Sequence, residues 1–390
     1  MTNINDRISS KEILIVLGLF LMVFVTGADS FIISPLLPSM SGYFNTSVSR
    51  VAYGVTIYAL CYAVGSPFLG PLGDRFAKKR LLMVGTLIFM CGTFLCGFST
   101  TLTSFYLFRA IAGIGASLLL PNIWAFIGSY FSGKRLSMVM GVVMAALSLS
   151  IAIGVPLGSS LSQMSNWHMV FWASGLLALL AGMTMIATIP MIPATHLSVS
   201  YLGNFVTVKK TKNAIPSLLI TLFWMFGFYS IYTFLGTFIS NQFNFSTGQI
   251  GYVFIAYGLG NFLASFFGGI INNQIGITRS VRLNGSLSIL TIILLSLSGN
   301  RLFLLIGFLI CLAIFQGLGV SALNTFIVNV VPTNRSTVMS FNSSFLYLGL
   351  TAGSFIGGLI YPTYGYLGVC LLAAFGMCLS VGMTFVLKES

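Results

Sequence analysis

The sequence predicts an all-α membrane protein with twelve transmembrane helices in two six-helix, pseudo-symmetric bundles. Three observations carry this reading. Of 390 residues, 57% are hydrophobic and only 6% are charged, against roughly 25% charged in soluble domains, so the chain cannot cover a water-facing surface. Hydropathy resolves into twelve apolar spans, each long enough to cross a bilayer. The two halves also repeat at a constant offset of 199 residues.

The spans follow in order. Span 1 (13–34) comes after Arg7 and Lys11 and runs through about 20 apolar residues to Pro35, longer than the apolar core of a signal peptide. Spans 2 to 6 are 51–72, 81–98, 105–129, 136–161 and 169–189. Spans 7 to 12 are 216–239, 250–271, 281–298, 302–330, 338–360 and 367–387. The longest connection, Pro190 to Ile215, lies mid-chain and holds Lys209, Lys210 and Lys212. It divides an N-terminal six-helix bundle (1–189) from a C-terminal one (216–390), with 190–215 as a cytoplasmic linker.

Orientation follows from the Lys and Arg residues. With the N-terminus in the cytoplasm, fifteen of the 18 fall in cytoplasmic segments. Arg50 and Arg301 fall outside, and Arg109 lies within a span. This predicts a multi-pass protein of the plasma membrane with both termini cytoplasmic. The formal net charge of +13 reflects five acidic residues only. Because the basic residues are scattered between apolar spans, bilayer topology explains them better than nucleic-acid binding. An ordinary cytosolic enzyme and a disordered protein are excluded on the same composition. All six cysteines lie in apolar stretches without metal-ligand spacing, and His168 and His196 are lone histidines in loops. No metal site is expected. Gly128 to Arg135 nearly matches a phosphate-binding loop, but Arg135 stands where a Mg²⁺-binding hydroxyl is required.

The duplication is read directly. Phe44-Asn45 recurs as Phe243-Asn244, Tyr53 as Tyr252, Gly70 as Gly269, Arg80 as Arg279, and Gly154 and Gly158 as Gly353 and Gly357. Two parallel six-helix repeats predict a transporter with its site at their interface.

Four segments carry candidate chemistry. The loop after span 2 reads Gly70-Pro71-Leu72-Gly73-Asp74-Arg75-Phe76-Ala77-Lys78-Lys79-Arg80. A lone carboxylate among cations at helix ends can switch partners as helices move. Span 4 holds Arg109-Ala110-Ile111-Ala112-Gly113-Ile114-Gly115-Ala116. A permanent cation within a span costs about 2.5–3.5 kcal/mol on insertion scales, so Arg109 is expected either to face the bundle interior with a partner or to snorkel from the outer end of its span. Asp29 is the acid placed within a span. A carboxylate at depth holds its proton when dry and releases it when wetted, as coupling to a proton gradient requires. The alternative for Asp29 is a structural hydrogen bond near the outer mouth. Span 5 contains Gly154-Val155-Pro156-Leu157-Gly158-Ser159, in which proline bends the helix and glycine permits close packing.

These segments resemble the major facilitator superfamily. The first resembles its Gly-x-Leu-x-Asp-Arg-x-Gly-Arg-Arg loop, with Ala77 departing at the second glycine and expected to tighten or shift the turn. The second resembles the Arg-x-x-x-Gly-x-Gly-x-Ala motif, and the fourth is similar to the helix-5 element of its drug, sugar and nucleoside efflux branch. The chemistry of a buried acid predicts proton coupling at Asp29, with Arg109 modulating its affinity in one state. The resemblance implies alternating access and a gate at Gly70, Gly73, Asp74, Arg75 and Lys79. It also implies a helix-5 element at Gly154, Pro156 and Gly158, and a functional monomer. The expected function is proton-driven export of small organic compounds, with lipophilic drugs first. A dedicated exporter of an endogenous sugar, nucleoside or metal-chelating metabolite is the alternative, and a non-transporting receptor a more distant one. Neither a cofactor nor an enzymatic reaction is expected. The proton motive force supplies the energy, and the partners are the substrate, protons and lipid. Asn122, Trp224, Phe228, Tyr232, Asn261, Asn324 and Asn342 are the cavity candidates, the polar ones because lipid would leave them unsatisfied. For the aromatic ones a lipid-facing position is the alternative, and for the asparagines helix–helix hydrogen bonding.

Overall fold

The computed structural model describes residues 9–191, 201–299, 301–330 and 335–386. The four-residue C-terminal end, His196 and part of the expected linker lie outside the described residues, as does the side chain of Asp74. Helices dominate: α1 (Ser10–Phe31), α2 (Ile33–Tyr43), α3 (Val48–Leu69), α4 (Leu72–Arg75), α5 (Lys78–Cys96), α6 (Leu102–Tyr130) and α7 (Gly133–Leu149). A π-turn at Ser150–Gly154 leads into α8 (Val155–Met164) and α9 (Trp167–Thr188). There follow α10 (Tyr201–Lys210), α11 (Ala214–Phe243), α12 (Thr247–Ile275), α13 (Ile277–Ser296), α14 (Leu302–Val330) and α15 (Arg335–Val386).

Ten stretches are long and apolar enough to cross a membrane. The longest, Phe341–Val386, has 46 residues and turns at Gly365, where φ is 60° and ψ −157°. It therefore supplies two crossings. The twelfth crossing is α13, whose hydropathy is lowered by Arg279, Arg282 and Asn284. The helices run a few residues past the sequence-read spans because polar residues outside the apolar runs cap them. Ser9 and Glu12 form a capping box on α1, Thr101 and Ser104 one on α6, and Asn166 caps α9.

Two helices break where proline removes a donor. Pro35 leaves α1 and α2 as a bent pair joined at Ile32. Pro156 has no N–H for the Ala152 carbonyl. The chain absorbs the loss as a π-turn, with the Val155 N–H bonded to the Ser150 carbonyl. The duplication is visible in the backbone. Asn45 (φ 48°) and Asn244 (φ 54°) both adopt the left-handed conformation, at equivalent turns 199 residues apart.

Within the N-terminal half, α1 packs on α7 and α9, and α6 on α3 and α5. Within the C-terminal half, α11 packs on α15, and α14 on α12 and α13. The halves meet along α3 against α15, α8 and the π-turn against α12, and α2 against α11. One end of the bundle is a basic face, which carries the α4 loop and α10, and the other is the opposite face. Close contacts between the halves gather toward the opposite face. Ser34 Oγ donates to the Tyr232 carbonyl at 2.6 Å, and Thr56 and Ser354 hydroxyls lie 2.8 Å apart. Helix α12 presses so closely that a Cβ on Gly258 would stand 2.3 Å from the Ala152 backbone. At the basic face, Phe205 of α10 sits between Phe68 and Phe341, ring centroids 6.2 and 4.9 Å away, so the linker helix touches both halves.

Candidate functional site: a buried ion pair at the seam

Asp29 lies one turn before the break that ends α1, and Arg109 two turns into α6. The packing of α6 positions the arginine. Gly113 brings α6 against the backbone of Tyr58, and Gly115 against Phe89; a Cβ at either would approach a backbone atom to 2.4 or 2.3 Å. Arg109 Nη1 donates to Asp29 Oδ2 at 2.5 Å, and both side chains are 0% exposed. Arg109 Nε donates to the Gly54 carbonyl at 3.4 Å, and the guanidinium lies 4.2 Å from the centre of the Tyr58 ring. The snorkelling alternative for Arg109 is therefore not adopted. Asp29 is paired, where the sequence leaves open whether it has a partner.

The pairing is one-pronged. Asp29 Oδ1, Arg109 Nη2 and the Tyr58 hydroxyl are buried with no hydrogen-bond partner among the described residues. Buried polar atoms left in that state cost about 1–3 kcal/mol each. The two charges neutralise each other at close range in a dry site, while one acceptor and two donors stay available. Such an arrangement can exchange partners on taking up or losing a proton, which a fully satisfied bidentate pair resists.

The loop expected to act as a gate lies at the basic face. Helix α4 carries Asp74 and Arg75, and Arg75 is exposed. Gly70 and Gly73 press α4 against α6: a Cβ on Gly73 would come within 2.3 Å of Asn122 Oδ1, and one on Gly70 within 3.5 Å of Pro121. Lys79 Nζ donates to the Ile186 carbonyl at 2.7 Å, a cation on the last turn of α9. Ala77 sits at φ −56° and ψ 123°, a conformation any residue adopts, so the departure from glycine does not strain the turn.

The helix-5 element faces two ways. Gly154 and Gly158 contact Ala28, Phe24 and Ile32 of the α1–α2 segment, while Pro156 and Ser159 meet Gly251 of α12 across the seam. The bend at Pro156 thus joins the Asp29 helix to the opposite half.

The cavity candidates scatter. Phe228 and Tyr232 do stand at the seam, in an aromatic group with Phe31, Tyr229 and Tyr257; Phe31 lies 5.2 Å from Tyr232, and Phe228 lies 6.1 Å from Tyr257. Asn261 bridges the halves, accepting from Ser148 at 3.4 Å and donating to the Ala313 carbonyl at 3.3 Å. Asn342 accepts from Thr221 at 2.7 Å, a helix–helix bond within one half, and Asn324 is half-buried on α14. Two placements differ from expectation. Trp224 is fully buried inside the C-terminal half, bonded to Gln316 at 2.7 Å and packed on Gly285 and Gly319. Asn122 backs the gate loop, its amide donating to the Leu118 carbonyl at 2.7 Å.

Sequence reading missed Gly54, Tyr58, Tyr62, Tyr257 and Tyr347. The repeat held a signal for four of them. The same offset of 199 pairs Tyr58 with Tyr257, Tyr62 with Asn261 and Ser148 with Tyr347. Tyr62 and Tyr347 stack at 3.6 Å where α3 crosses α15; their counterparts Asn261 and Ser148 bond where α12 crosses α7. In the C-terminal half Phe228 and Tyr257 stand where Asp29 and Tyr58 stand in the N-terminal half. One copy of the site is ionic and the other aromatic.

Known proteins share this sequence pattern and fold. The family model of the Major Facilitator Superfamily matches residues 19–235 and again 217–390. An uncharacterized MFS-type transporter of Bacillus subtilis, YwfA, is 31% identical over 384 residues, covering 96% of this chain and 92% of its own length. Multidrug resistance protein 2 of the same organism is 27% identical over 380 residues, covering 94% and 93%. Among solved structures, the human organic anion transporter MFSD10 superposes with a TM-score of 0.75 at 16% identity, over 97% of this chain and all of that one. A bacterial homologue of the human lysosomal transporter Spinster, inward-facing, superposes at 0.72 with 15% identity, over 98% and 95%. With twelve crossings, a duplicated backbone and a family match spanning both halves, the chain belongs to the major facilitator superfamily of transporters.

Proposed function

We propose that this transporter is a proton-coupled exporter of small organic compounds, lipophilic drugs among them. The observation that carries the proposal is the buried Asp29–Arg109 pair, 2.5 Å apart and closed to solvent, at the seam between the halves. Asp29 takes the proton and Arg109 sets how tightly it is held. When the carboxylate is neutralised the arginine is left uncompensated, and that cost biases the seam toward rearrangement. Residues Gly70, Gly73, Asp74, Arg75 and Lys79 act as the latch of the basic face. Gly154, Pro156 and Gly158 transmit movement of α1 to α12, and Phe228, Tyr232 and Asn261 line the substrate path. One charge crossing 100 mV yields about 2.3 kcal/mol, enough to hold a gradient of roughly 50-fold.

Several observations support the details. Fifteen of the 18 Lys and Arg share the side of the N-terminus, which favours a plasma-membrane protein with cytoplasmic termini. Two relatives named as multidrug resistance proteins, 27% and 24% identical, favour lipophilic substrates. A functional monomer holding no cofactor completes the reading.

The test uses a pump-deficient bacterial host expressing the wild type, Asp29→Asn and Asp74→Asn at matched membrane levels. Growth is scored against lipophilic cations, chloramphenicol-like neutral compounds and purine analogues. Resistance with the wild type, lost in both variants, is expected. Resistance retained in Asp29→Asn removes the proton site from the proposal. No resistance to any compound redirects it to dedicated export of an endogenous metabolite.

A further inference from the structure

The ion pair is built entirely from the N-terminal half, on α1 and α6. A charge change there moves one half against the other only if something on the other half responds to it. One side chain that brings the C-terminal half into this neighbourhood is Tyr347 of α15. Its ring stacks on Tyr62 at 3.6 Å between centroids and 21° from parallel, and lies 6.4 Å from Tyr58 at 57°. Tyr58 in turn carries the Arg109 guanidinium on its face at 4.2 Å. Ser30, next to Asp29 in the chain, lies beside the hydroxyls of both Tyr58 and Tyr347, and Tyr347 is in electrostatic range of Asp29 and Arg109. A continuous path therefore runs from Asp29 through Arg109 and Tyr58 to Tyr347, where it crosses the seam, and Tyr62 holds Tyr347 from the same face of α3. At the pseudo-symmetric position the offset-related pair is the Ser148–Asn261 hydrogen bond at 3.4 Å in place of a ring stack.

We propose that Tyr347 is a positioning residue that ties the charge state of the Asp29–Arg109 pair to the α3–α15 seam. With Asp29 ionised, the Tyr347 hydroxyl is drawn to the free carboxylate oxygen, and the stack on Tyr62 holds the seam closed. When Asp29 takes a proton from water, its pull on the phenol disappears. Arg109 then keeps only the Gly54 carbonyl and the aromatic faces as partners, and the seam loosens. The groups facing Asp29 are Arg109 from α6, Tyr58 from α3, Cys96 from α5 and Tyr347 from α15, with Tyr62 and Tyr229 one layer beyond. The inference rests on the reading of Asp29 as the proton-accepting group.

The test needs no substrate. Spin labels are placed by Arg80→Cys and Arg279→Cys, two exposed, offset-related positions at the starts of α5 and α13, after replacement of the native cysteines. Their distance distribution is recorded in purified protein from pH 5 to 9. The wild type is expected to shift between two populations with pH, and Asp29→Asn to lose the shift. Tyr347→Phe keeps the stack and loses the hydroxyl; its midpoint is expected to move to higher pH by about one unit, a tenfold change in proton affinity. Tyr62→Phe is expected to leave the midpoint in place. If Tyr347→Phe yields no folded protein, Ser30→Ala replaces it with the same expectation. An unmoved midpoint in the Tyr347 or Ser30 variant, with the response lost in Asp29→Asn, overturns the role of Tyr347 and leaves the proton site standing. A response that persists in Asp29→Asn, or a wild type that does not respond, overturns both.

Discussion

At the scale of single residues, the two members of the ion pair are not equivalent. A guanidinium stays charged in any protein environment, whereas a carboxylate left alone can escape its charge by taking a proton. Removing Asp29 therefore strands a buried cation, while removing Arg109 strands an acid that can neutralise itself. Breaking a buried pair typically costs about 3–5 kcal/mol. Asp29→Asn is expected to approach that figure at every pH. Arg109→Gln is expected to match it at alkaline pH and to recover in acid, where the orphaned carboxylate is protonated. The double variant should be more stable than Asp29→Asn alone, because no unpaired charge remains. Melting of the purified single and double variants at pH 5 and 8 checks the cycle. A second residue-scale prediction concerns the α4 loop. A Cβ on Gly73 would collide with Asn122 Oδ1 at 2.3 Å, so Gly73→Ala is expected to cost about 1–3 kcal/mol. Most of that should return in the Gly73→Ala/Asn122→Ala double variant, where the obstructing amide is gone. Independent, additive losses in melting temperature would show that the two residues do not touch.

At the scale of helices, the bend in the fifth crossing has a defined cause. Pro156 removes one donor, and the chain responds with the π-turn at Ser150–Gly154. Pro156→Ala restores the N–H and allows a regular helix. That change rotates everything beyond the bend and pulls Ser159 away from Gly251. Thermal stability is expected to hold or rise, while transport falls several-fold; export assays paired with melting curves separate the two effects. Element by element, much of this architecture was legible in the sequence. The crossings follow from hydropathy, the repeat at Asn45 and Asn244 from the 199-residue offset, and an interior partner for Arg109, the one of two readings that the structure adopts, from the cost of a cation within a span. Trp224 falls inside its own half for a physical reason. Helix α11 is apolar around nearly its whole circumference, and nearly all of it is buried. Hydrophobic periodicity therefore cannot tell the face that meets its own half from the face that meets the other. The tyrosine layer went unnoticed because buried tyrosines blend into an apolar background. Their pairing appears only when the 199-residue offset is applied to residues that differ between the copies.

At the scale of the whole molecule, the distribution of contacts sets which face moves. The seam toward the opposite face is drawn tight by small residues and short hydrogen bonds: Gly258 on the Ala152 backbone, Thr56 on Ser354, and Ser34 on the Tyr232 carbonyl. A rigid-body exchange of access has to open this seam as a unit, since a cleft cannot form while any one crossing stays locked. Two interventions act on it in opposite senses. Gly258→Leu inserts bulk where a Cβ already lies within 2.3 Å of backbone. It should hold the opposite face apart and raise the labelling of seam residues by impermeant thiol reagents, whereas Gly269→Leu, with no heavy atom within 4 Å of its Cβ position, should not. Conversely, Thr56→Cys with Ser354→Cys replaces two hydroxyls 2.8 Å apart by thiols placed to bridge. Oxidation is expected to abolish transport, and reductant to restore it to the level of the single variants. The bridge lies about two turns of α3 from Tyr62, whose stack on Tyr347 it would clamp indirectly. The oxidised protein should therefore also lose its pH-driven change in distance across the basic face while keeping the Asp29–Arg109 pair intact. If transport survives quantitative cross-linking at this position, the opposite face is not a gate, and alternating access about this seam fails as a description of the molecule.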